Sequence, residues 1–215
     1  MQIADGHNGL ASFAITATLF QFHNFGWVKV PSVLFLGMIL GGLVQMFAGL
    51  LEFATGNGFG FAIFSVFGSF WITLVLIILG KMFMGPEMQT SETDMGWFML
   101  TFLIFTFILL VSSLKHNTIL PLLILTLFLG ILFLMISHFC NEASKATVSE
   151  RPFKLTGAIF LLINSFMAYY FLAAILMEDV YQRKILPVGP SVSDFLFNRR
   201  RRAANYRRDP EGRVN

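Results

Sequence analysis

Six stretches of this chain, each long enough to cross a bilayer, contain no Asp, Glu, Lys or Arg. There are 23 such residues between Asp5 and Lys29, 22 between Lys29 and Glu52, 28 between Glu52 and Lys81, 20 between Asp94 and Lys115, 26 between Lys115 and Glu142, and 23 between Lys154 and Glu178. A hydrocarbon layer about 30 Å thick takes about 20 helical residues at about 1.5 Å each, so each gap holds one span and none comfortably holds two. The runs are apolar on all sides rather than alternating in polarity, which argues against a transmembrane β-barrel. The chain therefore reads as an all-α membrane protein with six transmembrane helices, near residues 9–25, 31–53, 58–79, 96–114, 120–138 and 155–177. Pro31 suits a first helical turn, where its missing N–H costs little. The first run has no basic segment before it and is followed at once by another span, so it is read as a retained helix and not a signal peptide.

Only 13% of the 215 residues are charged, about half the share in a soluble domain, and the remaining charge is unevenly placed. Residues 178–215 hold nine basic and five acidic side chains, whereas the rest of the chain holds six and seven. The chain divides accordingly into a six-helix transmembrane domain, residues 1–190, and a basic tail, residues 191–215, expected to be disordered. With six spans, both termini share a side with the loops after the second and fourth helices. That side carries ten Lys and Arg against five on the other, which assigns both termini to the cytoplasm. The plasma membrane is the expected location. The run Arg199–Arg200–Arg201–Arg202 could meet anionic lipid headgroups or act as a trafficking signal, although a solvated tail that only reinforces orientation is the commoner case. No folded basic module accompanies it, so nucleic acid is not an expected partner.

Within the spans, Gly37 and Gly41 form a G-x-x-x-G, followed by Gly42, Ala48 and Gly49, a pattern that lets helix backbones approach in lipid. Gly41, Gln45, Gly49 and Glu52 follow at spacings of four, four and three, which puts an amide and a carboxyl on that small-residue face. Ser65, Ser69 and Thr73 make a hydroxyl stripe on the third helix. Each hydroxyl singly is more often bonded to its own i−4 carbonyl than to a solute. His23 and Asn24 close the first helix, and Asn164 lies within the sixth. No Lys or Arg lies inside a span. His23, Glu52 and His138 are the ionisable exceptions, all near a membrane interface, where function and plain solvation compete as explanations. His23 and Glu52 fall at opposite ends and are not expected to touch.

Several classes of function are unsupported. There is no Walker motif, no HExxH, no GxSxG and no Cys/His ligand cluster, and Cys140 is the only cysteine. Neither an enzyme, an ATP-driven pump, a resident metal nor a cofactor is indicated. A channel-like or secondary transport protein for a small solute is left.

The stretches His23-Asn24-Phe25-Gly26, Gly41-Gly42-Leu43-Val44-Gln45-Met46-Phe47-Ala48-Gly49-Leu50-Leu51-Glu52, Gly56-Asn57-Gly58-Phe59-Gly60, Gly68-Ser69-Phe70-Trp71 and Leu186-Pro187-Val188-Gly189 together resemble the acetate uptake transporter family, which includes succinate-acetate permeases and fungal acetate permeases. The resemblance covers about residues 9–189. It implies a homo-hexameric ring with one pore per protomer, carrying acetate or a similar short carboxylate with linked proton entry. It also implies an apolar constriction of a Phe, a Tyr and a Leu, which correspond here to Phe13, Phe67 and Leu127. Phe in place of Tyr at position 67 removes a hydroxyl and makes the gate drier. The family's Asn-Pro-Ala-Pro-Leu-Gly-Leu signature survives only as Asn8-Gly9-Leu10.

A small carboxylic acid of pKa near ~4 is anionic at neutral pH, so it either crosses as an anion or picks up a proton on the way. Without a cation in the spans, its partners would be neutral donors such as Asn24, Gln45, Ser65, Ser69, Thr73 and Asn164, with His23 or Glu52 as proton relay. The expectation is a low-affinity, channel-like carboxylate symporter with an aromatic gate. A neutral-solute channel for urea, amides or ammonia is the competing transport reading, and a non-transporting membrane scaffold or sensor is the competing reading of another class.

Overall fold

The computed structural model describes residues 6–85, 89–143 and 151–193. Most of the basic tail, including the run 199–202, lies outside the described residues. The described chain forms six helices and, among the described residues, no strand: α1 (Gly6–Asn24), α2 (Val30–Ala54), α3 (Gly58–Phe83), α4 (Glu92–Ser113), α5 (Ile119–Ala143) and α6 (Arg151–Tyr181). Each lies where an uncharged run predicts a helix, but several run past it, because a charge marks where lipid ends and not where hydrogen bonding must stop. Helix α4 begins instead at a local start signal. The Ser91 hydroxyl accepts from the Asp94 N–H at 3.0 Å, and the Asp94 carboxylate accepts from the Ser91 N–H, a closed capping box. Helix α2 starts with Pro31 in its first turn, as its sequence predicts.

Five of the six helices, α2 to α6, are long and apolar enough to cross a membrane. Helix α1 has 19 residues but carries His7, Asn8, Gln21, His23 and Asn24, which lower its mean hydropathy. Nine of those 19 residues are buried, and α1 packs against α6 and α2. A helix covered by protein need not be apolar on every side, and the low hydropathy of α1 goes with its packed position.

Helices α2 and α3 meet through glycine. A Cβ on Gly49 would lie 2.7 Å from the Ser65 backbone nitrogen, and one on Gly68 would lie 2.8 Å from that of Met46. Gly41 faces Thr16 of α1 and Trp71 of α3 at once. Gly37, Gly41, Gln45, Gly49 and Glu52 are all buried, so the small-residue face read from the sequence is the packed face. Its middle, Gly37–Val44, winds as a π-helix, a widened turn that single-residue propensities do not reveal. On the other side of the bundle a Cβ on Gly157 of α6 would lie 3.0 Å from the Gly130 carbonyl oxygen of α5. The space between α3 and α4 is filled by phenylalanine. Phe70 stacks on Phe98 at 5.5 Å between centroids, and Phe67 meets Phe102 and Phe105 at 6.2 and 6.0 Å.

After α6 the chain folds back under the α4–α5 turn. Tyr170 Oη donates to Pro187 O at 2.8 Å, Thr118 Oγ1 to Pro190 O at 2.6 Å, and the Ser193 N–H to Leu114 O at 3.0 Å. Gly189 sits at φ +75°, a left-handed position held against Thr118, which accounts for the glycine in Leu186-Pro187-Val188-Gly189.

Candidate functional site

Two cavities enter the bundle from opposite ends. The one at the end bearing the termini has a volume of about 70 Å³, and the one at the far end about 290 Å³. Both are lined by the same faces of α1, α3 and α5. The near cavity reaches Phe13, Phe67 and Leu127, while the far cavity reaches Phe20, Leu74 and Leu134. On each of the three helices the two limits are seven residues apart, which at about 1.5 Å per residue leaves a wall about 10 Å thick. Thr16 and Ala17, Phe70 and Trp71, and Ile131 fall in that interval, and all but Phe70 are buried. Phe13 and Phe67 meet edge to face at 6.4 Å between centroids on the near side of this wall.

The near cavity is apolar apart from Gln45, Asn57 and His116. Gln45 is 1% exposed, and its Oε1 has no hydrogen-bond partner among the described residues. Asn57 caps α3, its Oδ1 accepting from the Gly60 N–H at 3.1 Å while its Nδ2 donates to the Glu52 carboxylate. Glu52 is fully buried beside the cavity without lining it, and Gly60 is glycine because a Cβ there would meet the Glu52 carboxylate and the Asn57 amide. Because Asn57 both caps a helix and serves a buried carboxyl, Asn57→Ala should lower stability by about 2 kcal/mol, more than a surface cap. Thermal unfolding in detergent would register it, and an unchanged midpoint would contradict the double role.

The far cavity has an apolar floor and a polar mouth. His23 and Asn24 come from α1, Lys81 from α3, Glu92 from α4, Ser137, His138 and Asn141 from α5, and Lys154 from α6. His23 Nδ1 lies 2.8 Å from the Val28 carbonyl oxygen, so that nitrogen carries the proton and donates. Asn24 Nδ2 donates to Gln21 Oε1 at 3.0 Å. The Glu92 carboxylate takes a hydrogen bond from His138 Nδ1 at 2.7 Å, lies 3.6 Å from Lys81 Nζ, and is bonded by Asn141.

The residues singled out from the sequence are thus unequally placed. Phe13, Phe67, Leu127 and Gln45 line the near cavity, and His23 and Asn24 the far one. His23 and Glu52 lie at opposite ends, as expected. The hydroxyl stripe differs from its expected place. Ser65, Ser69 and Thr73 line neither cavity, and Ser69 and Thr73 are exposed on the outer side of α3. Ser65 and Ser69 donate to the carbonyls of Phe61 and Ser65, the local bond that a helical hydroxyl makes when no other partner faces it. Asn164 lines neither cavity either. It is buried, and its Nδ2 donates to Leu123 O at 2.6 Å and lies 3.2 Å from Thr126 Oγ1, tying α6 to α5 beside Leu127. The sequence reading did not single out His116, Lys81 or Glu92 as site residues. Each lies at or next to a helix end, where polar residues are ordinary, and only its place in a cavity distinguishes it, His116 in the near one and Lys81 beside Glu92 in the far one. Among the described residues no group of three or more His, Cys, Asp or Glu could hold a metal ion.

Known proteins are similar to this chain in sequence and fold. A family model described as the GPR1/FUN34/yaaH family matches residues 5–188. The succinate-acetate/proton symporter SatP of Escherichia coli (strain K12) is 30% identical over 188 residues, covering 85% of this chain and 93% of that protein. Ammonia transport outward protein 3 of Saccharomyces cerevisiae is 30% identical over 170 residues, 75% of this chain and 58% of that one. A solved structure of the bacterial acetate channel SatP superposes with a TM-score of 0.78 at 27% identity, over 87% of this chain and all of that one.

Proposed function

This chain belongs to the GPR1/FUN34/yaaH family, and from that premise we propose that it transports acetate or a similar short carboxylate across a membrane, linked to proton movement. The observation that carries the reading is the pair of end-on cavities sharing the faces of α1, α3 and α5 and separated by a buried, mostly apolar wall. Such a wall holds back water and ions but lets a small neutral molecule through at modest cost, and a protonated carboxylic acid is one. Phe13, Phe67 and Leu127 form its constriction. Gln45 receives the solute on the near side, and His23 and Asn24 stand beside it on the far side. Asn164 ties α6 to α5, Ser65, Ser69 and Thr73 stay off the path, and Glu52 acts on it through Asn57.

All six helices span the membrane in this reading, α1 included, because α1 carries one wall of the path from end to end. The protomer assembles as a homo-hexamer with one pore per protomer. Both termini lie in the cytoplasm of a cell whose plasma membrane houses the protein. No reaction chemistry and no cofactor enter the scheme.

Uptake of radiolabelled acetate into proteoliposomes, with and without an imposed pH gradient, tests the function. Flux above empty liposomes that rises with acid outside is the expected result; flux no greater than in empty liposomes under both conditions ends the carboxylate reading. The likeness to an ammonia transport protein favours a neutral-solute channel as the second reading. Methylammonium uptake that acetate does not inhibit would decide for it.

A further inference from the structure

The far cavity holds the feature that the carboxylate reading does not yet use. Three helices converge there on one carboxylate: Glu92 of α4 is gripped by His138 and Asn141 of α5 and by Lys81 of α3. An imidazole N–H, an ammonium and an amide are the donors a carboxylate solute needs, and no Lys or Arg lines the near cavity. The groups facing this cluster are Asp94 from α4, which Lys81 attracts, His23 from α1, whose Nδ1 is committed to Val28 O, and Lys154 from α6, which has no ion-pair partner among the described residues. Lys81 and Lys154 are the cations an incoming anion meets at this mouth, with Glu92 and Asp94 as the acidic groups beside them.

We propose that the Glu92–His138–Lys81 cluster is a docking and protonation site for short monocarboxylates, resting on the carboxylate-transport reading above. With Nδ1–H donating to Glu92, the neutral imidazole of His138 keeps its lone pair on Nε2. A proton from the water of the mouth adds there to give an imidazolium, which the Glu92 carboxylate stabilises at 2.7 Å. The solute anion docks against Lys81 and Lys154. The Nε2–H bond then breaks as the O–H bond of the acid forms, and His138 returns to its neutral tautomer. The neutral acid enters the apolar floor of Leu74, Ile77, Met99 and Leu134. One proton and one carboxylate leave the mouth together, so the step is electroneutral.

A purely structural ion cluster would pin α3, α4 and α5 without affecting proton supply, and the test separates the two. His138→Gln retains a donor toward Glu92 but cannot carry a proton. In proteoliposomes it should fold normally and lose acetate uptake by about tenfold, and the residual uptake should no longer rise when the outside is acidified. Lys81→Met should raise the half-saturating acetate concentration several-fold and leave the pH profile in place. Docking is also read without transport, by NMR of histidine-labelled protein in nanodiscs, where acetate should move the ring signals that vanish in His138→Gln. Wild-type protein that transports acetate alongside a His138→Gln variant with an unchanged pH profile overturns the proposal and leaves the transport reading standing. Absence of any wild-type acetate flux overturns the transport reading and, with it, the protonation step. Ring signals unmoved by acetate overturn the docking step.

Discussion

Phe67→Ala is expected to raise acetate flux by about tenfold and to admit solutes larger than acetate. Phe67 is 3% exposed and stands in the wall, meeting Phe13, Phe70, Phe102 and Phe105 at 6.0–6.4 Å between ring centroids. A solute crossing the wall gives up hydrogen bonds to water, and that loss is the barrier a dry constriction imposes. Removing the ring lets water reach further from the near cavity. Recovery of a single water contact worth about 1.4 kcal/mol is enough for a tenfold gain in rate. Phe67→Tyr keeps the ring and adds one hydroxyl, so it should raise flux by a smaller factor. Truncating a core phenylalanine also costs about 3–5 kcal/mol of stability, so Phe67→Leu serves as the milder companion, with an intermediate rise in flux. Proteoliposome uptake scored per folded protomer measures all three. A folded variant of either kind with wild-type flux takes Phe67 out of the solute path.

The second large effect concerns folding. Gly68→Val should abolish folded protein, or lower its unfolding midpoint steeply, because the first added carbon would lie 2.8 Å from Met46 N, 3.0 Å from Gly42 O and 3.0 Å from Met46 Cα. All three are backbone atoms, so no rotamer change relieves the clash, and α2 and α3 must separate. Overpacking usually costs about 1–3 kcal/mol when side chains can yield, and a backbone collision belongs at or above the top of that range. Gly58→Ala is the matched control at the start of α3, where an added Cβ meets nothing within 4 Å. Monodispersity in detergent and thermal unfolding measure both. Equal midpoints for the two variants would show that the α2–α3 approach is looser than the structure has it.

Much of the architecture is legible in one dimension because hydropathy is a property of residues taken singly. The gaps between charges locate all six helices, and the spacing of Gly41, Gln45, Gly49 and Glu52 picks out the packed face of α2. Where spacing was read as function it was less informative. Ser65, Ser69 and Thr73 share a face as predicted, but that face turns away from both cavities, and nothing in the residues themselves says which way α3 is rotated. Helix α1 shows the opposite case. Its polar residues make it the least membrane-like segment by composition, yet two of its faces meet α2 and α6 and its residues line both cavities.

By itself, the sequence determined where the chain is uncharged for the width of a bilayer, hence the number and placement of its helices, and it excluded a cation from their interiors. The physical reason is the transfer cost of each side chain, which adds along the chain without reference to partners. Only the tertiary structure decided that Phe13, Phe67 and Leu127 share a level, that each lies seven residues from the far cavity, and that His138 meets Glu92 across 46 residues of chain. Those are pairwise facts. They depend on how helices are rotated and how closely they approach, and at Gly41, Gly49, Gly68 and Gly157 that is set by backbone contacts that no count of apolar residues contains.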